Sequence, residues 1–379
     1  MAGDQAAGRA VTTELNGESI GHDKKRLRSA APTVAEMTRR RVKEAVMEDL
    51  REAVEGPVRV QALRRLAQDR GQAIEELVQV LSTGDLFEEA LKAFIEGKFY
   101  ESAESFAELA HAREDQKLPS AAEAYLFQGN ALICLGHHAE AAQTLSKCLA
   151  LGLDSAIAWN NQGVALMGVG RLSEAIVSFD RSIGLRKDYA LAWCHRGKAY
   201  ARRGEHEPAL ENYKLALRFN PGYYRTWYNR GRSLTILRRY EEALENYETA
   251  IQIYARDPAL WYARGNVLFK LQRYEEAIAS YDRTLALDPT HYFALTNRGV
   301  ALAIVGWEEA SLGSFEKALE IDPSYSRAWY NRGVVLQRLG DVAAARASLE
   351  RFIACAPADS PSMEAAVRLL KQLNQIPAL

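Results

Sequence analysis

The sequence predicts an all-α fold assembled from stacked antiparallel helix pairs, and three observations carry that prediction. Tryptophan recurs every 34 residues, at Trp159, Trp193, Trp227, Trp261 and Trp329, with Leu295 in the one remaining place. Four residues after each stands a glycine: Gly163, Gly197, Gly231, Gly265, Gly299 and Gly333. Later in each unit a small residue precedes a bulky apolar one by four. The pairs are Ala141/Leu145, Ala175/Phe179, Ala209/Tyr213, Ala243/Tyr247, Ala277/Tyr281, Ser311/Phe315 and Ala345/Leu349.

Each observation has a helical reading. On a first helix the Trp, the Gly four on, and an apolar residue three later (Leu166, Tyr200, Leu234, Leu268, Leu302, Leu336) share one face. The Gly carries no side chain, so a neighbouring helix can come close. A second helix presents a small residue and then a large one at the same four-residue step. One such hairpin cannot hide both apolar faces, and stacking hairpins buries them continuously. Pro221, Pro289, Pro323 and Pro357 close four units, because proline cannot continue a helix. Tyr125 and Gly129 extend the register one unit upstream.

The chain has 379 residues, 48 Lys+Arg against 49 Asp+Glu, and a formal net charge of −1. That balance gives no global field favouring nucleic acid or an anionic membrane. A single core rarely grows past about 250–300 residues, whereas a repeat array extends one core lengthwise. The cysteines Cys134, Cys148, Cys194 and Cys355 form no CxxC pair and are expected as buried or half-buried thiols. The first 30 residues lack an apolar stretch of signal-peptide length, and no run of about 18 apolar residues suggests a membrane span. The expected location is therefore the cytoplasm.

Residues 1–32 are rich in Gly, Ala, Thr and charge, with a basic cluster at Lys24, Lys25, Arg26 and Arg28, and are expected to be a disordered basic tail. Residues 33–82 read as a helical N-terminal cap. Thr33 and Glu36 have capping-box spacing, Gly56-Pro57 breaks the first helix, and Gly71 and Gly84 end the next two. After Pro357 a last helix from about Ser362 to Asn374 supplies a C-terminal cap within 360–379.

Trp, then Gly four later, then Ala, then an aromatic, then Pro, all at period 34, resembles the tetratricopeptide repeat. Six units in register run over 156–189, 190–223, 224–257, 258–291, 292–325 and 326–359. Unit 122–155 is a seventh, and 83–121 is a degenerate eighth marked by Gly97, Phe99 and Phe106, so the resemblance covers 83–359. Departures are Leu295 for Trp, Ser311 for Ala, and Arg238 and Gln272 where other units place Gly170, Gly204, Gly306 and Gly340. The resemblance implies a right-handed superhelical solenoid whose first helices line a concave side.

No HExxH, P-loop or GxGxxG occurs, so no catalytic residue, metal site or cofactor is expected. His137-His138 is the only close histidine pair and sits at an expected turn. Glu241-Glu242 and Glu275-Glu276 begin second helices, where negative charge suits the helix dipole.

The charge is segregated. The six first helices, 156–169 through 326–339, contain no Asp or Glu and 13 Lys or Arg, while acids sit on second helices. Arg196, Arg230, Arg264, Arg298 and Arg332, each directly before the Gly, are expected to pair with acids of neighbouring second helices. The stripe opposite the Trp-Gly face holds the candidate peptide-binding residues Asn161, Lys198, Arg202, Arg225, Asn229, Arg232, Asn266, Lys270, Asn297, Arg327, Asn331 and Arg338. Asparagine offers donor and acceptor together and suits an extended backbone. Some members of the family hold a carboxylate peptide end with Lys and Asn. Here Asn266, Asn297, Arg327 and Asn331 approach that set, and Tyr262 stands where it would want Lys. The expected function is a non-enzymatic adaptor for an acidic protein segment. The alternatives are a regulatory or targeting subunit of an enzyme complex, with 33–82 as its docking part, and a nucleic-acid-binding repeat protein.

Overall fold

A computed structural model describes residues 90, 93–94, 98–115 and 121–375, and among them are sixteen helices and no strand. The basic tail, the cap expected over 33–82, most of the opening of unit 83–121 and residues 376–379 lie outside the described residues. The described chain forms two compact units, up to Leu237 and from Arg238 onward.

The first unit contains α1 (Phe99–Asp115), α2 (Ala121–Leu135), α3 (His138–Ala150), α4 (Ala156–Gly168), α5 (Leu172–Leu185), α6 (Ala190–Arg202), α7 (His206–Phe219) and α8 (Tyr224–Ile236). The second contains α9 (Tyr240–Ile253), α10 (Pro258–Lys270), α11 (Tyr274–Leu287), α12 (Tyr292–Ile304), α13 (Glu308–Ile321), α14 (Ser326–Arg338), α15 (Val342–Cys355) and α16 (Met363–Asn374). Within each unit every helix packs on the next in sequence. First helices also touch the first helix of the following repeat: α2 meets α4, α4 meets α6, α6 meets α8, α10 meets α12 and α12 meets α14.

The glycine rule has a direct steric basis. A Cβ added at Gly163 would stand 2.5 Å from the Phe179 ring, at Gly197 2.7 Å from Tyr213, at Gly265 2.6 Å from Tyr281 and at Gly299 2.5 Å from Phe315. Each ring lies 16 residues after its glycine, on the second helix of the same hairpin, and is fully buried. The small residue one turn before a ring is also fully buried at Ala175, Ala209, Ala243 and Ala277. Ser311 replaces Ala without an unpaired hydroxyl, because its Oγ donates to the Gly299 carbonyl at 2.7 Å.

Between paired helices the chain turns through the left-handed region. Gly170, Gly204 and Gly306 have φ of 86°, and Arg238 and Gln272 adopt 60° and 61° at the equivalent step. The turn bonds are common to both residue types. Gly170 N–H donates to Met167 O and Arg171 N–H to Leu166 O, as Gln272 does to Phe269 O and Arg273 to Leu268 O. The backbone therefore imposes the conformation whichever residue occupies it.

The five tryptophans at the 34-residue positions are half-buried rather than sealed in the core. Their indole N–H groups explain why: Trp193, Trp227, Trp261 and Trp329 donate to the carbonyls of Lys187, Pro221, Ala255 and Pro323 at 2.8–2.9 Å. Each ring thus ties a first helix to the loop that enters it. Leu295, with no donor, is buried instead against Ala318, Leu319 and Ala328.

Arginine before the glycine joins consecutive hairpins. Arg264 reaches Glu248 at 2.9 Å and Ser280 at 2.7 Å, Arg298 reaches Asp282 at 2.6 Å and Ser314 at 2.7 Å, and Arg332 reaches Glu316 at 3.1 Å and Ser348 at 2.7 Å. Arg196 pairs with Asp180 and donates to Asn212 Oδ1 at 2.7 Å. In every case one partner lies 16 residues before and the other 16 after. The acid step is missing opposite Arg230, where the residue 16 before is Lys214, itself 3.8 Å from Glu211.

The candidate face on the first helices

In the first unit the candidate residues lie on α4, α6 and α8. Asn161 Nδ2 donates to Asn130 Oδ1 of the preceding first helix at 2.6 Å, and its own Oδ1 accepts from Asn160 at 3.0 Å. Asn160 Oδ1 accepts from His195 Nδ1 at 2.9 Å, so a polar chain crosses three successive first helices. His195 is pulled down to about 3, by burial first and then by the Lys198 and Arg225 charges. Asn229 stands with Thr226 against the buried Cys194 thiol, which burial pushes up.

The cations of this unit are oriented by neutral groups. Arg202 Nη1 donates to the Met167 carbonyl at 2.6 Å, at the end of the preceding first helix. Arg225 lies 5.7 Å from the Tyr224 ring and donates to its hydroxyl at 3.2 Å, and Arg232 lies 5.8 Å from the Tyr228 ring. Lys198, Arg202, Arg225 and Arg232 are all exposed. Desolvation lowers the Lys198 ammonium, and Arg202, Arg232 and Arg225 add to that shift. His206 and His138 are also held toward the neutral form, by burial first and then by Arg232 and Arg202 respectively.

In the second unit the candidates lie on α10, α12 and α14. Asn297 is buried: its Nδ2 donates to Asn266 Oδ1 at 2.9 Å and to Tyr262 Oη at 3.2 Å, while its Oδ1 accepts from Arg327 at 2.8 Å. Asn266 Oδ1 also accepts from Tyr281 Oη at 2.9 Å. The four residues that approach a carboxylate-holding set are therefore divided. Asn266, Asn297 and Arg327 form one bonded chain, with Tyr262 inside it. Asn331 stands apart, 2 % exposed, and neither amide atom has a hydrogen-bond partner. Arg338 repeats the Arg202 geometry, donating to the Ala303 carbonyl at 3.2 Å, and it also approaches Glu308 at 3.8 Å. Lys270 is half-buried, and desolvation followed by the Arg327 and Arg238 charges lowers its ammonium.

The stripe is thus partly closed. Ile157, Leu191, Val300 and Val334 share it and are buried, because first helices of successive repeats pack directly on one another. Sequence reading overlooked the bonds that use this packing. The signal was present: Asn161 with Asn130, and Asn297 with Asn266, are each 31 residues apart, joining the site two before one Gly to the site one after the previous Gly. At Asn331 the residue 31 before is Val300, which has no acceptor to offer.

Among the described residues no group of three or more His, Cys, Asp or Glu could hold a metal ion, and no helix is long and apolar enough to cross a membrane. Cys148 and Cys194 are buried, Cys134 and Cys355 half-buried, and burial pushes the Cys148 thiol up to about 12.

Models of the tetratricopeptide repeat match residues 128–187, 190–223, 228–292 and 314–347, together just over half of the chain. Among solved structures, the APC/C hetero-tetramer Cut9–Hcn1 aligns at 18 % identity over 81 % of this chain and 60 % of that one, with a TM-score of 0.52. The C-terminal part of a repeat-containing protein from Cytophaga hutchinsonii aligns at 17 % identity over 63 % and 98 %, with a TM-score of 0.52. YrrB, described as a TPR protein with an unusual peptide-binding site, aligns at 25 % identity over 51 % and 97 %, with a TM-score of 0.46. A search of curated proteins gave no significant match. The chain belongs to the tetratricopeptide repeat family, whose stacked helix pairs generally serve as non-enzymatic scaffolds for protein–protein interaction.

Proposed function

We propose that this scaffold captures an acidic protein segment through the exposed cations of its first helices, as an adaptor in the cytoplasm. The observation that carries this reading is the contrast between two sets of arginine. Of those before the glycines, Arg196, Arg264, Arg298 and Arg332 are neutralised by carboxylates of second helices. Arg202, Arg225 and Arg232 are held by a carbonyl and by tyrosines instead, and keep their full charge for a partner. Arg327 of the second unit is likewise held by the neutral Asn297. Electrostatic complementarity of this kind sets on-rate and partner choice. In the second unit the buried Asn297 holds Arg327, and Lys270 and Arg338 add further cations on the same stripe.

Nucleic acid fits less well, since base stacking needs open aromatic faces, and Arg225 and Arg232 already lie over Tyr224 and Tyr228. The test is capture of an immobilised Glu-rich peptide by the full chain and by a variant carrying Arg225→Glu, Arg232→Glu and Arg327→Glu. Binding by the wild type should fall about tenfold or more on reversal, and fall with added salt. Undiminished capture by a variant with the wild-type circular dichroism spectrum would refute the reading.

A further inference from the structure

Lys198, Arg202, Arg225 and Arg232 gather on two neighbouring first helices, α6 and α8, which are in contact. Among the described residues no Asp or Glu lies within ion-pair distance of any of the four. Their partners are the Met167 carbonyl, the Tyr224 hydroxyl and ring, the Tyr223 hydroxyl and the Tyr228 ring, all uncharged. The cluster acts on its surroundings: Lys198 and the imidazoles of His195, His206 and His138 are all held toward their neutral forms, by desolvation and by these same charges. This is a local excess of positive charge that the folded chain leaves uncompensated.

We propose that Lys198, Arg202, Arg225 and Arg232 bind the phosphoryl group of a phosphorylated serine or threonine in the captured segment. The proposal rests on the reading of this face as a site for an acidic segment, and it names the group that fits best. One carboxylate carries a single charge and would leave most of the cluster unpaired. A phosphomonoester carries about −1.5 to −2 at neutral pH and three acceptor oxygens. Guanidinium groups match those oxygens with paired N–H bonds, and these bonds are stronger than neutral ones. Arg225 and Arg232 are already steered by their tyrosines, so less side-chain freedom is lost when the anion arrives. The second unit offers no equal cluster, since Arg338 is near Glu308 and Arg327 is tied to Asn297. A phosphorylated segment is favoured over a nucleic acid because the cations form one compact group and the tyrosine rings beside them are covered.

The test uses the full chain and fluorescence anisotropy. The probes are a short labelled peptide of Gly, Ala and Glu with a central serine, the same peptide with phosphoserine, and a single-stranded oligonucleotide of similar charge. The phosphoryl group should tighten binding about tenfold or more. Arg225→Gln with Arg232→Gln should remove most of that gain while the thermal melt stays near wild type. Arg218→Gln with Arg283→Gln, which removes two exposed charges from second helices, should retain it. Equal affinity for the two peptides would overturn the phosphoryl assignment and leave the acidic-segment reading standing. Binding of neither peptide would overturn both. A gain that persists in the Arg225→Gln, Arg232→Gln variant, or an oligonucleotide that binds more tightly than the phosphopeptide, would also overturn the proposal.

Discussion

Asn297 and Asn331 occupy the same place in consecutive repeats and are both buried, yet they have opposite worth to the fold. Asn297 bonds Asn266, Tyr262 and Arg327, so Asn297→Leu removes three hydrogen bonds from the half-buried chain at once. Asn331 satisfies nothing and its own two amide atoms are unpaired. A buried unpaired polar group costs about 1–3 kcal/mol, whereas an apolar residue of similar shape does not. Asn297→Leu should therefore destabilise by about 2 kcal/mol and Asn331→Leu should stabilise by about 1 kcal/mol in urea unfolding. His195 makes a second prediction at this scale. The unfolded imidazole takes up a proton near its ordinary 6.5, and the folded one does so only near 3. Between those values the unfolded chain binds more protons, so this group lowers stability as pH falls through that window and contributes no slope above it. His195→Asn should flatten the fall between pH 6.5 and 3 by up to about 1.4 kcal/mol per pH unit, read from chemical unfolding at each pH.

The helix pair is the element that the sequence states most clearly. Its spacing follows from the absence of a Cβ where a ring must pass, and that absence is written as a glycine every 34 residues. Gly299→Ala would place a methyl 2.5 Å from a fully buried ring that has no room to retreat. It should cost about 1–3 kcal/mol, the usual cost of overpacking, with loss of α12–α13 packing seen as faster amide exchange in both helices. What the sequence conceals is the use of polar residues between elements. The clamp at Arg298 was legible as a basic residue beside the buried face, with an acid on the helix before. The indole bonds to loop carbonyls were not legible, because a backbone acceptor leaves no trace in the residue types. The closure of the stripe at Val300 and Val334 was missed for a related reason. Helical angle says which side a residue occupies and not how near the next first helix comes.

At the scale of the molecule, near-zero net charge hides a division of labour between first and second helices. Carboxylates of second helices neutralise Arg196, Arg264, Arg298 and Arg332, which join hairpins, while Lys198, Arg202, Arg225 and Arg232 are left exposed. The most direct test is hydrogen–deuterium exchange of the full chain with and without saturating Glu-rich phosphopeptide. Slowed exchange of α6 and α8, with the second helices α5 and α7 unchanged, is the predicted result. Slowed exchange on the second helices, with α6 and α8 unaffected, would contradict the assignment of the binding face.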